Sequence, residues 1–133
     1  MAQGFQQAIA KVRDALGNAQ VSLEQRAAID EEMRVAEVCA IHFQSVANQT
    51  RFVMNRNAFN EAPAAETAPQ HAATMRALLD SEIVLAQRMH ALQSQDSRFG
   101  YEASNHYFYV PTDLVEKAVN CRSLKEDWLK TPQ

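Results

Sequence analysis

Residues 98–109 read RFGYEASNHYFY and hold all three tyrosines, two of the six phenylalanines and one of the four histidines of the chain. Glu102, Ser104, Asn105 and His106 bring acid, base and hydrogen-bonding groups. Phe99, Tyr101, Tyr107, Phe108 and Tyr109 surround them with aromatic surface. An apolar wall carrying a few convergent polar groups is what a small-molecule site needs, and aromatic rings also stack on the apolar faces of sugars. The same rings are equally suited to closing the end of a helical core, with Glu102 or Asn105 capping a helix or pairing with Arg51 or Arg98. Both readings stand on the residues alone. A lone Glu102–His106 acid–base pair is weak grounds for an enzyme acting by itself, because a histidine near a glutamate is common in inert loops.

A second concentration of chemistry is FQSVANQTRFVMNRNAFN, residues 43–60, where Gln44, Asn48, Gln49, Arg51, Asn55 and Arg56 crowd a segment that should have a buried face. Amides and guanidinium groups donate and accept in the pattern that hydroxyl-rich ligands require. Exposure on a solvated helix face is the plainer account, since most polar helical residues simply meet water.

Other chemistries are poorly served. A ferritin-like dinuclear site needs Glu-x-x-His pairs, and no Glu in the chain has a His three residues later. Cys39 and His42 set two soft ligands on adjacent helical turns, which is half of a zinc site without a second ligand-spaced pair to complete it. A polar histidine beside a buried cysteine is the simpler expectation. No strand-turn-helix elbow frames a nucleophile and no phosphate-binding loop is present. No cofactor or metal is therefore expected. Two cysteines, Cys39 and Cys121, are too few for a disulfide framework, so they read as small buried thiols.

The elements that position these residues are helical. With 133 residues, 47% of them hydrophobic, three Gly and four Pro, the chain suits one helical domain spanning 1–133. Phe5, Ile9, Val12 and Leu16 recur at helical spacing and Gly17-Asn18 is a stop signal, which predicts a first helix over 3–17. Ser22 and Gln25 have the spacing of a capping box. The stripe Ile29, Met33, Ala36, Ala40, Phe43, Ala47, Met54 then continues to about Asn60 without Gly or Pro. A helix of nearly forty residues would be roughly 55 Å long, and needs a partner.

EAPAAETAP, residues 61–69, reads as a turn because Pro63 and Pro69 disfavour helix through it. From Gln70, Met75, Leu79, Ile83, Ala86 and Met89 form one stripe and Leu78, Leu85 and Leu92 an adjacent one, giving a third helix to about residue 95 antiparallel to the second. Asp113, with Glu116 three residues on, is the expected cap of a fourth helix whose buried side is Leu114, Ala118, Cys121, Leu124 and Trp128. The expected fold is all-α and four-helix bundle-like, with helices 2 and 3 as a long antiparallel hairpin and helices 1 and 4 packed on it.

A net charge of −3 without a block of like charge argues against nucleic acid as a partner. No apolar run reaches the length of a membrane span and the N-terminus lacks the unbroken apolar core of a signal peptide, so a soluble chain is expected, its compartment unassigned.

The segments CAIHFQSVANQTRFVMNR (39–56) and EIVLAQRMHALQSQDSRFGYEASNHYFYVPTDLVEKAVNCRSL (82–124), in that order, resemble the C-terminal helical region of large bacterial glycoside-hydrolase-like proteins. There the helical region follows a (β/α) barrel related in general plan to α-glucuronidases. The resemblance covers most of the chain after residue 30. Glycosidases act through paired carboxylates, which in barrel enzymes stand at the strand ends, and this chain contains no barrel. The resemblance therefore implies an accessory helical module that packs on a barrel and is not catalytic alone. It implies Glu102, Asn105, His106 and Tyr107 as candidates for the rim of a carbohydrate site, with Tyr109 beside them and Asn48, Gln49 and Arg51 as support. A stand-alone ligand-binding bundle and a homo-oligomerisation domain are the alternatives.

Overall fold

The computed structural model describes residues 1–61, 67–100 and 109–130. They form helices α1 (Ala2–Asn18), α2 (Leu23–Glu61), α3 (Ala68–Gln95) and α4 (Pro111–Glu126), followed by a short 3-10 turn at Trp128–Lys130. Among the described residues there is no strand, so the fold class is all-α, as expected. The chain divides into two compact units, Met1–Gln44 and Ser45–Gln133, and α2 contributes to both.

Local chemistry sets the helix ends. At the start of α2 the Gln25 backbone N–H donates to Ser22 Oγ (3.1 Å) and the Ser22 N–H donates to Gln25 Oε1 (2.9 Å), a closed capping box. α3 starts at Ala68, two residues earlier than the prolines suggest, because Pro69 lies in the first turn, where its missing N–H costs nothing. The start of α4 corrects the expected cap in the same way. Val110 is the N-cap and Pro111 opens the helix, while Asp113 sits inside the first turn, where its charge favours the helix dipole.

In the first unit α1 lies antiparallel to the first part of α2. Phe5 stacks on Phe43 with ring centroids 5.9 Å apart, and Arg13 Nη2 meets Glu37 Oε2 at 4.0 Å, so residue numbers rise on one helix as they fall on the other.

In the second unit the end of α2, α3 and α4 pack together. Asn48 reaches Ser81 and Glu82, and Asn55 meets His71, which fixes α2 and α3 as the expected antiparallel hairpin. Lys117 meets Glu82, Lys125 meets Asp80 and the Arg76 guanidinium donates to the Leu129 carbonyl, so α4 also runs antiparallel to α3.

The buried residues of α3 are Ala72, Met75, Leu79, Glu82, Ala86, Met89, Leu92 and Gln93. Apart from Leu92 they alternate steps of three and four, the seam of a coiled-coil-like core. Met75, Met89 and Leu92 are completely enclosed, each contributing about 1.5–3 kcal/mol through burial. Leu114 and Cys121 face this seam from α4, and Phe59 meets Trp128 near the chain end with centroids 6.3 Å apart. Met54 departs from the expected stripe: it is 65% exposed, because the inward face of α2 here runs through Ser45, Asn48, Phe52, Asn55 and Phe59.

Candidate functional site

One layer of the three-helix core in the second unit is polar. Glu82, a seam residue of α3 only 5% exposed, stands where an apolar side chain belongs. An unpaired carboxylate there would be prohibitive, so its partners decide what the layer is. Glu82 Oε1 accepts from Asn48 Nδ2 at 2.8 Å. Glu82 Oε2 accepts from Ser45 Oγ at 2.8 Å and pairs with Lys117 Nζ at 2.6 Å.

Ser45 is the hub. Its hydroxyl gives its one proton to Glu82 and accepts from Lys117 Nζ (2.7 Å) and from Gln49 Nε2 (3.0 Å), which uses all its capacity. Asn48 spends its two amide protons on Glu82 and on Ser81 Oγ (2.9 Å). Three helices thus meet through one closed network.

The layer resembles a Ser–Lys catalytic dyad in its 2.7 Å separation of Ser45 and Lys117 and differs from it in chemistry. A Ser–Lys dyad needs a neutral amine to take the hydroxyl proton. Lys117 is the ammonium half of an ion pair and donates to Ser45, so it has no lone pair to offer. Ser45, 2% exposed, is also out of reach of a substrate.

Beside the layer lies a cleft of about 250 Å³, walled by Phe52, Val53, Leu78, Leu79 and Leu124, with Asn48, Gln49, Glu82, Lys117 and Cys121 along it. Two neighbouring groups feel the layer. Burial pushes the Cys121 thiol above its ordinary pKa and the Glu82 carboxylate adds to that, with Lys117 pulling the other way. Burial, then Glu82, likewise raises the Tyr109 hydroxyl. Both side chains are held neutral, which suits packing and suppresses thiolate chemistry. Cys39 and Cys121 are free thiols. Cys39 is half-buried rather than buried, and His42 sits edge-on to Phe43 with ring centroids 5.5 Å apart. Among the described residues no group of three metal-ligating side chains comes together.

The residues anticipated from sequence divide accordingly. Asn48 and Gln49 belong to the layer. Arg51 is exposed, and what it contributes is a backbone carbonyl that accepts from Asn55 Nδ2 (2.8 Å). Tyr109 is half-buried within the field of Glu82. Glu102, Asn105, His106 and Tyr107 lie outside the described residues. At the edges of that stretch, Arg98 pairs with Asp96 (2.6 Å) and Phe99 is buried. Gly100 takes φ +149°, and a Cβ there would sit 2.5 Å from the Tyr109 carbonyl oxygen.

Ser45, Glu82 and Lys117 were not singled out from sequence. The signal for Glu82 was the three-four spacing from Ala72 to Gln93, which puts a carboxylate on the seam. No helix among the described residues is long and apolar enough to cross a membrane. No family model, curated protein or solved structure matches the chain.

Proposed function

We propose that this chain is an accessory helical module of a glycoside-hydrolase-like protein, one that packs on a (β/α) barrel, contributes to the rim of a carbohydrate site, and is not catalytic alone. The observation that carries the reading is the closed layer of Ser45, Asn48, Glu82 and Lys117. The polar groups best placed for chemistry are consumed by one another, which makes a scaffold that fixes three helices in register.

The neighbouring cleft favours the same reading over a stand-alone ligand binder. At about 250 Å³ it is smaller than the roughly 300–1,000 Å³ of ordinary ligand pockets, and its walls are mainly apolar. It suits an inserted side chain of a packed partner. Apolar surface also remains on α4, where Val115 and Val119 are 53% and 60% exposed and line a groove with Ala86 and His90 of α3. The family resemblance of residues 39–56 and 82–124 supplies the identity of the partner and the carbohydrate rim at Glu102, Asn105, His106 and Tyr107.

The test is co-expression with a (β/α)-barrel glycoside-hydrolase-like protein encoded in the same genome, followed by size-exclusion chromatography with light scattering. A 1:1 complex that Val115→Asp with Val119→Asp disrupts, while the helical circular dichroism of the isolated chain is retained, is the expected result. Separate elution of both proteins at about 50 µM, well above the ~1 µM Kd of a contact of about 8 kcal/mol, overturns it.

A further inference from the structure

The first unit leaves an apolar groove uncovered. Between α1 and the start of α2 lies a groove of about 720 Å³ whose walls include Ile9, Val12, Leu16, Val21, Ile29 and Met33. All but Val21, in the link between the helices, belong to the apolar stripes of α1 and α2, yet of the six only Ile9 is buried. Two helices alone have one line of contact and no second layer to close over it, and so short a unit cannot bury enough surface to be stable in that form.

We infer that this groove is a self-association surface, and that its occupant is the same face of a second copy of the chain. Charge is the first argument. α1 carries Lys11 and Arg13 against Asp14, while α2 up to Gln44 carries Glu24, Asp30, Glu31, Glu32 and Glu37 against only Arg26 and Arg34. α1 is therefore net positive and this part of α2 net negative. A twofold axis parallel to the helices places each α1 beside the α2 of the other copy, antiparallel to it, so unlike helices become neighbours around a four-helix bundle.

Area is the second argument. α1 is about 25 Å long, so a face two helices wide projects onto about 500 Å². Side-chain relief carries the accessible area toward the roughly 800 Å² per partner of a stable interface. A small second-helix contact would not need so long a face. Ala8 and Ala15, exposed on the groove edge of α1, permit the close approach that such packing requires.

Sedimentation equilibrium of the full chain alone tests this, with no barrel protein present, so the outcome is separate from that of the complex proposed above. A reversible dimer that populates at tens of micromolar is expected. Val12→Glu and Ala15→Glu, at positions already exposed, should each weaken the dimer at least tenfold with unchanged helical circular dichroism. A monomer throughout the range to several hundred micromolar, or a dimer unmoved by both substitutions while they fold normally, overturns the inference. If one variant loses helicity, the other decides.

Discussion

Lys117 of α4 approaches Glu82 of α3 to 2.6 Å inside a core layer where neither helix offers the pair much water. Such a pair gains little over well-packed apolar residues but costs a great deal to break from one side, because the remaining charge stays buried. Its value here is positional: charge and hydrogen bonds must meet in one register, and a one-turn slip of α2 or α4 would orphan Glu82.

Removal of either partner orphans the other, so the two losses are expected not to add. Glu82→Leu should lose about 2–3 kcal/mol: Lys117, Ser45 and Asn48 lose their acceptor, but the lysine side chain is 27% exposed and reaches water. Lys117→Met should lose more, about 3–5 kcal/mol, since the Glu82 carboxylate it leaves behind is buried with only neutral donors beside it. The double variant should fall short of the sum by about 2 kcal/mol. Urea unfolding of the four proteins checks this, and strict additivity would remove the pair from the account of the layer.

The layer also shows what was legible in the sequence. Ser22 and Gln25 announced their capping box because both donors and acceptors lie within four residues, and no tertiary context is needed to close it. The long hairpin was legible because apolar stripes on two segments joined by a proline-rich turn admit one compact solution. Glu82 and Lys117 read as surface because charge is ordinarily outside. Only their phase on the seam, three residues after Leu79 and three after Leu114, places them inward. Asp113 misled because a good capping residue lay two residues after a proline better suited to open the helix.

Gly100 and Gly17 should respond oppositely to alanine. At Gly100 the backbone is in a region closed to side chains and a Cβ would collide with the backbone of Tyr109, so Gly100→Ala should cost about 2–3 kcal/mol. At Gly17, near the end of α1, nothing among the described residues lies within 4 Å of the added carbon. Gly17→Ala should raise stability of the first unit by up to about 1 kcal/mol. Equal effects of the two changes on unfolding midpoints would contradict the close approach that joins the edges of the aromatic stretch.

Alkaline pH should loosen the second unit. Cys121 and Tyr109 have raised pKa values in the folded chain, above ordinary values of about 9 and about 10. Between ordinary and raised values the folded chain keeps a proton that the unfolded chain gives up. Stability is thus undiminished below pH 9 and falls as pH rises beyond it. Cys121→Ala and Tyr109→Phe should each flatten the decline measured by urea unfolding from pH 8 to 11, and their combination should flatten it most. A decline identical in all four proteins would assign the alkaline sensitivity to other groups.

Gln93 offers a substitution expected to stabilise. It occupies the last inward position of the α3 seam at 6% exposure, and its Oε1 is buried with no hydrogen-bond partner among the described residues. An acceptor stripped of water without compensation costs about 1–3 kcal/mol. Gln93→Met keeps the length and flexibility of the side chain and removes that demand, so it should raise stability by about 1 kcal/mol. A loss instead would mean that the amide oxygen is satisfied when the chain is assembled with another molecule. The two cases separate by measuring the variant's unfolding at 1 µM and at several hundred micromolar: an unmet acceptor gives the same gain at both, whereas an acceptor filled on self-association gives a gain that disappears as the concentration rises.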